Sequence, residues 1–299
     1  MTYHTTILLN ESIDGLNIRP DGVYVDVTFG GGGHSKAILE RLTTGRLIAL
    51  DQDADAIANA PNDARMIVQH GNFKFLRNYL AHNGYRQVDG ILADLGVSSH
   101  HFDVAARGFS FRHDNAPLDM RMNAAAKLTA MEVVNRYSED SLKKIFALYG
   151  EISDAQRLAQ QIVVARRDKS IDSSGQLLVA IERCIPRGAE NKYLAKVFQA
   201  LRIEVNGELD CLKILLNQSV DLLKQGGRLV IIAYHSLEDR LVKNFFKNGM
   251  FEGIAEKDVY GNVNVPFRQV NNKVIVPDNT EIEANSRARS AKLRIGERI

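Results

Sequence analysis

Apolar and polar residues in the first hundred positions switch repeatedly between two periods. Val23-Tyr24-Val25-Asp26-Val27 follows the turn Pro20-Asp21-Gly22 and is rich in β-branched side chains, which predicts a strand. Gly30 to Gly33 interrupts the pattern. From His34 to Leu42 the apolar positions Ile38, Leu39 and Leu42 recur at helical spacing. The alternation continues: Arg46–Leu50 predicts a short buried strand, Ala54–Ala60 a helix, Met66–Val68 a strand, Phe73–His82 a helix and Val88–Ala93 a strand. Strands alternating with helices in this way imply an α/β fold, a mostly parallel sheet with helices on both faces.

The rhythm changes near residue 101. As far as about 205 strand signals almost vanish, and helices are predicted at Leu128–Tyr137, Ser141–Leu148, Ala155–Arg167, Gln176–Cys184 and Leu194–Arg202. The α/β pattern then resumes. Glu208–Leu223 reads as an amphipathic helix ended by Gly226-Gly227, Arg228–Ala233 as a strand and Leu237–Lys247 as a helix. Ser236 is the expected N-cap of that last helix, with Asp239 in the capping-box place. Strands are also expected at Lys273–Val276 and Ala291–Ile295. The organisation predicted is a discontinuous α/β domain, residues 1–100 and 206–299, interrupted by an all-helical domain at 101–205.

The chain has 299 residues, 45% of them hydrophobic and 25% charged. That is ordinary globular composition, with length for about two domains. No apolar run approaches the ~20 residues of a membrane span. The first residues carry Glu11 and Asp14 rather than a basic leader, so no secretory signal is expected. Cys184 and Cys211 form no CxxC pair, which argues against a disulfide framework or a cysteine zinc site and fits a reducing cytoplasm; no metal is expected. The formal net charge of +2 is too small to identify a partner. Its distribution says more. Residues 1–100 carry 8 basic against 11 acidic side chains, 101–205 carry 16 against 13, and 206–299 carry 14 against 12. A polyanion is better received by the middle and end of the chain.

The strongest local signal is Asp26-Val27-Thr28-Phe29-Gly30-Gly31-Gly32-Gly33-His34, between the first strand and the first helix. Glycines there let the backbone approach a ligand closely, and the helix behind them offers unpaired N–H groups. Asp51 ends the second strand, where a carboxylate can take both hydroxyls of a ribose. A dinucleotide fingerprint needs GxGxxG, but counted from Gly30 or Gly31 the third glycine place holds Ser35 or Lys36. S-adenosylmethionine is the alternative nucleoside-containing cofactor. The fourth strand runs into Asp94-Leu95-Gly96-Val97, which puts Asp94 at the same edge of the sheet. There it can accept an N–H from an amine nucleophile or from the cofactor, or simply cap the next helix. Methylation at a pyrimidine carbon usually uses a cysteine nucleophile, and both cysteines read as core residues. On the residues alone, a nicotinamide-dependent oxidoreductase and a non-catalytic RNA-binding or ribosome-assembly factor stay open.

The chain resembles the bacterial small-subunit ribosomal RNA cytosine-N4 methyltransferases of the MraW type over nearly its whole length. The blocks that carry the resemblance include the Asp26–Ser35 loop, Asp51-Gln52-Asp53, Asp89 to Ser99, Arg107-Gly108-Phe109-Ser110-Phe111, Pro117 to Met122, Phe198 to Ile203, His235-Ser236-Leu237-Glu238-Asp239-Arg240 and Ser286 to Ser290. The resemblance implies a class I S-adenosylmethionine-dependent methyltransferase fold, Rossmann-like, with an inserted helical domain that helps bind RNA. It implies S-adenosylmethionine as methyl donor and 16S rRNA as partner, met within the small ribosomal subunit, with a cytosine of the decoding region as target; a homodimer is left open. It places Gly32, Gly33 and His34 against the methionine part of the donor, Asp51 on the ribose, Phe73 beside the adenine, Asp94 beside the donor and His101 at a further donor contact where relatives often carry Gln. Asp94 and His235 are the catalytic candidates. Asp119 and Arg121 are expected to pair with each other or line the cytosine pocket, and Arg287 and Arg289 to meet phosphate. Phe109 and Phe111 are candidate stacking partners for an unstacked base. Two departures stand out. The Asp/Asn/Ser-Pro-Pro-aromatic motif of many amino-methyltransferases is absent after the fourth strand, so amine methylation rests on the resemblance. Lys196 also replaces an arginine, which keeps the charge but not a bidentate geometry.

Overall fold

The computed structural model describes residues 6–97, 104–253, 265–271 and 273–299. The chain divides into two compact units, Met1–Gly96 with Leu209–Ile299, and Val97–Glu208.

In the first unit the apolar runs form seven strands: β1 (Val23–Asp26), β2 (Arg46–Asp51), β3 (Met66–His70), β4 (Val88–Asp94), β5 (Leu223–Ala233), β6 (Phe267–Gln269) and β7 (Lys292–Arg298). They lie in the order β3-β2-β1-β4-β5-β7-β6. Pairing from β3 to β5 is parallel, and β7 runs antiparallel to both β5 and β6. Buried strands with two covered faces read as continuous apolar runs, as in Leu47-Ile48-Ala49-Leu50 and Leu229-Val230-Ile231-Ile232. One face is covered by α1 (Leu9–Leu16) and α2 (Gly33–Arg41), through Ile13, Leu16, Ile38 and Leu39. The other packs on α4 (Leu76–His82), α10 (Glu208–Leu222) and α11 (Ser236–Asn248), through Leu76, Leu80, Leu212, Leu215, Leu216, Val242 and Phe246. A four-residue helix, α3 (Ala54–Ile57), links β2 towards β3. Near the chain end lies α12 (Asn279–Ala284).

Register sets up the site. Asp26 of β1 is level with Ala49 of β2 and Leu92 of β4. Side chains two residues apart on a strand share a face. Asp51 and Asp94, each two residues beyond those partners, therefore project on the same face as Asp26, one on either side of it and one pleat further out. At the opposite end of β4, Asp89 accepts from the Val23 backbone N–H at 2.8 Å, from the Lys224 ammonium at 3.0 Å and from Arg19, which pins the amino edge.

The second unit holds five helices among its described residues: α5 (Ala130–Arg136), α6 (Glu139–Leu148), α7 (Ala155–Asp168), α8 (Ser174–Ile181) and α9 (Glu190–Asn206). Thr129 with Glu132, and Ser173 with Gln176, form capping boxes that start α5 and α8. The core of this unit includes Val133, Phe146, Leu158, Ile162, Leu177, Val197 and Leu201. Among the described residues no helix is long and apolar enough to cross a membrane.

Several sequence expectations need correction. Gly226-Gly227 does not end the helix over 208–222. β5 already starts at Leu223, and Gly226 (φ +77°) lies inside it, where the pairing with β4 skips from Val88↔Leu223 to Gly90↔Arg228. The strand expected at 273–276 is reduced to one bridge, Ile275↔Leu293. The α1 helix is not among the elements expected, although Leu9, Ile13 and Leu16 recur at helical spacing, whereas β6 and α12 carry too few periodic apolar positions to be legible.

Gly90 sits at the centre of the sheet. A methyl group there would stand 2.8 Å from Tyr24 Cδ1 and 3.0 Å from Leu16 Cδ2. The Tyr24 ring is fully buried and its oxygen accepts from the Arg19 N–H at 2.7 Å, so it has little freedom to yield. Gly90→Ala is expected to destabilise the chain by about 1–3 kcal/mol, as overpacking does, read as a lower urea midpoint with unchanged slope.

Candidate active site

The glycine loop turns β1 into α2. Gly30 (φ +51°) and Gly32 (φ +78°) are left-handed, and Gly32 is the residue before the first helical turn. A side chain on Gly33 would fall 1.8 Å from Thr6 Oγ1, whereas one on Gly31 would meet nothing within 4 Å. The loop is therefore packed on one side and open on the other. Asp51 stabilises its entry: its carboxylate accepts from Gly30 N–H at 2.8 Å and from Asp53 N–H at 2.9 Å.

Asp26 is wholly buried beneath this loop. It accepts from Ser35 Oγ at 2.7 Å and from Thr28 N–H at 3.1 Å. Burial pushes its carboxyl above the ordinary carboxylate range; His34, Ser35 and Thr28 pull the other way. Thr28 links two strand ends, since its hydroxyl oxygen accepts from the Asp94 backbone N–H at 2.7 Å while the hydroxyl faces Asp26 Oδ1 at 3.5 Å.

Asp94 ends β4 with 23% of its side chain exposed. Its Oδ2 lies 3.9 Å from His34 Nδ1, and Gly96 N–H approaches Oδ1 at 3.4 Å. Desolvation raises its pKa; His34, the Tyr234 hydroxyl and Gly96 N–H partly offset that. His34 is 5% exposed, and its Nε2 is buried without a hydrogen-bond partner among the described residues. A buried imidazole nitrogen without a partner is costly unless a ligand satisfies it. Phe73 opens a single 3-10 turn after β3, capped by Asn72, and lies half-buried on the α4 side of the sheet.

His235 follows β5 and takes the N-cap place expected of Ser236. Its Nδ1 accepts from Glu238 N–H at 3.4 Å, and the Glu238 carboxylate returns to the backbone N–H groups of Tyr234 and His235. His235 Nε2 is buried 3.1 Å from Glu238 Oε1, a contact without hydrogen-bond geometry. His235 thus shapes the turn at the end of β5.

The other expected positions fall as follows. His101 lies outside the described residues. Asp119 and Arg121 face each other in a bidentate pair, at 2.8 and 2.6 Å, while Arg121 also donates to the Ala124 and Ala126 carbonyls. Burial pushes the Asp119 carboxyl up, but the Arg121 contacts outweigh it and leave the group below its usual range. Phe109 is 5% exposed in the helical core, and Phe111 meets Phe198 edge-on at 5.6 Å; both are packing residues of that unit, not open stacking platforms. Arg287 and Arg289 are exposed on a 3-10 turn around buried Ala288. Lys292 and Arg294 are engaged by Asp239 at 3.1 and 2.7 Å. Cys184 and Cys211 are buried and form no disulfide, and burial pushes the Cys184 thiol up, which leaves it a poor nucleophile. Thr28, Ser35 and Glu238, which hold the site together, carried no individual signal in the sequence.

Do these residues fit the methyl donor? An open glycine turn at a helix N-terminus, an acid at the end of the adjacent strand and an unsatisfied buried imidazole provide the polar contacts that a nucleoside joined to an amino acid requires. Ser35, by contrast, fills with a buried hydroxyl the place where a dinucleotide fold wants glycine. Sheet order, the antiparallel β7 and this ligand edge are those of a class I S-adenosylmethionine-dependent methyltransferase.

Comparison with known proteins narrows the class. The model of the MraW methylase family matches residues 1–299, and this chain belongs to that family. The chain is 58% identical over 299 residues to the ribosomal RNA small subunit methyltransferase H of Bacteroides thetaiotaomicron, covering 100% of this chain and 98% of that protein. It is 55% identical over 300 residues to the protein of the same name from Flavobacterium johnsoniae, covering 100% and 99%.

If Asp51 both steadies the loop and takes the ribose, Asp51→Ala should weaken S-adenosylmethionine binding by about 10-fold or more, the worth of one or two charge-assisted hydrogen bonds. Titration calorimetry would read this, and unchanged affinity would remove Asp51 from the donor site.

Proposed function

We propose that this chain transfers a methyl group from S-adenosylmethionine to the exocyclic N4 of a cytosine in 16S rRNA, in the decoding region and with the small subunit as the form of substrate. The observation that carries the reading is the row of three carboxylates, Asp26, Asp51 and Asp94, on one face of the sheet beside an open glycine turn. The name shared by the full-length relatives supports the choice of RNA as acceptor.

The donor, when bound, supplies a methyl group on a sulfonium whose leaving group is a neutral thioether. What remains for the protein is to bind, align and exclude water. The glycine turn and Asp51 bind. Asp94 stands at the carboxyl edge next to them. Its ionised oxygen accepts an N–H of the cytosine amine, which turns the nitrogen lone pair towards the methyl and receives the proton lost when the N–C bond forms. His34 faces the same carboxylate and counters its charge. His235 orders the neighbouring turn. In the helical unit the Asp119–Arg121 fork stiffens a loop offered to RNA, and Arg287 and Arg289 supply phosphate contacts, which makes binding weaken with salt.

The test is transfer of labelled methyl from S-adenosylmethionine to undermethylated 30S particles, followed by nucleoside analysis. Label in N4-methylcytidine is expected; label on another base or only on protein overturns the reading. Asp94 must be ionised to accept the N–H, and its pKa is raised, so activity should fall with decreasing pH earlier than for a carboxyl near the ordinary value of about 4. Asp94→Asn should lower kcat about 100-fold or more and abolish that acid limb.

A further inference from the structure

The chain that enters α1 has a conformation and a contact that neither the donor site nor the helix itself accounts for. Leu8 stands at φ +50° and ψ +40°, a left-handed geometry that leucine rarely adopts. Its side chain is 1% exposed, packed in the core with Ile13, Leu16 and Ile38. Leu8 takes the cap place of α1 but has no side-chain oxygen with which to cap. Its own backbone N–H finds a partner far along the chain, donating to Glu281 Oε1 at 2.7 Å. Two residues earlier, Thr6 packs directly on the glycine turn. A methyl group on Gly33 would stand 1.8 Å from Thr6 Oγ1 and 3.0 Å from Thr6 Cβ. Glu281 is in turn held for its contact. Its N–H donates to Asp278 Oδ1 at 2.8 Å, at the start of α12. Just before that helix, two hydrogen bonds between Ile275 and Leu293, at 3.2 and 2.9 Å, tie the chain to β7.

We propose that Glu281 is a positioning residue for the methyl donor: by accepting the Leu8 N–H it holds Thr6-Ile7-Leu8 as a strap against the packed side of the glycine turn, so that the open side keeps the shape that receives the donor. This rests on the glycine turn being the donor site, as read above. A backbone N–H bonded to a carboxylate makes a charge-assisted hydrogen bond, stronger than one to a carbonyl. Here it offsets a backbone conformation that costs free energy at leucine. Without the Glu281 oxygen, the Leu8 N–H has no partner among the described residues, and the buried turn loses what keeps it left-handed. The strap then relaxes, and the backing of the glycine turn goes with it. Gly33 is explained as well, since Thr6 leaves no room there for a side chain.

The test is calorimetric titration of the whole chain with S-adenosylmethionine, beside initial rates on undermethylated 30S particles. Glu281→Ala should raise the Kd and the KM for the donor about tenfold, the worth of one hydrogen bond to a charged group. At saturating donor, kcat should stay within about twofold of wild type, because the loss lies in donor binding. Glu281→Gln keeps an accepting oxygen and should bring the affinity back to within about threefold of wild type. Thr6→Ala trims the other end of the strap and should weaken the donor too. Combined with Glu281→Ala it should add little, since both act through one contact. Thr6→Ala also carries the test if Glu281→Ala does not fold, and unchanged affinity in it then overturns the strap. Unchanged affinity in Glu281→Ala, with Asp51→Ala still weakening the donor, overturns the role of Glu281 alone. So does a loss that Glu281→Gln does not recover, or one that falls on kcat rather than on KM. Unchanged affinity in Asp51→Ala overturns the glycine turn as the donor site, and with it this inference.

Discussion

The site depends on a desolvated carboxylate. Asp26 is buried at the end of a central parallel strand, in a place where ionisation is opposed by the surrounding protein. What makes it tolerable is a short chain of hydrogen bonds. Ser35 Oγ covers one oxygen, Thr28 N–H the other, and the Thr28 hydroxyl, facing that second oxygen, accepts in turn from the Asp94 backbone. A threonine hydroxyl has one proton to give and two lone pairs, so this single side chain ties the ends of β1 and β4 together. The turn that follows β1 and the exit from β4 are therefore parts of one polar assembly.

Sheet register and helix packing together explain why the ligand-facing groups sit where they do. Asp51 and Asp94 flank Asp26 one pleat further out because β2 and β4 both extend beyond β1. Carboxylates placed like this repel one another, and Asp94 does raise the pKa of Asp26. The counterweights come from outside the sheet: His34 from α2 and, for Asp51, the N–H of Gly30. The glycine loop consequently has two tasks. It opens space, and it delivers a backbone donor and an imidazole to acids that would otherwise be poorly compensated.

Much of this was legible from residue pattern. The β1 to β4 alternation, the change to helices after β4 and the loop-plus-acid signature all follow from periodicity and from glycine and aspartate placement. What was not legible has physical causes. The antiparallel direction of β7 is a property of pairing, and an isolated run such as Leu293-Arg294-Ile295 does not encode it. The cap of α11 moved from Ser236 to His235 because Glu238, three residues from His235, reciprocates the bond; Asp239 instead turns to Lys292 and Arg294. Phe109 and Phe111 resemble base-stacking residues until the helical core is seen to need them. In the basic stretch near the C-terminus Asp239 engages Lys292 and Arg294, while Arg287 and Arg289 are exposed, a division that the run of cations alone does not show.

Charge placement also bears on the acceptor role proposed for Asp94. A fully solvated carboxylate would be ionised at working pH but would be a weak, mobile acceptor; a fully buried one would tend to hold its proton. Asp94 lies between these limits. It is partly exposed, its pKa is raised by desolvation, and donors on neighbouring elements restore some of the preference for charge. Asp26, deeper and closed over by Ser35 and Thr28, is on the structural side of that division. The difference between the two acids is one pleat of strand extension. The same residue type thus anchors the loop at one level and faces the ligand edge at the next.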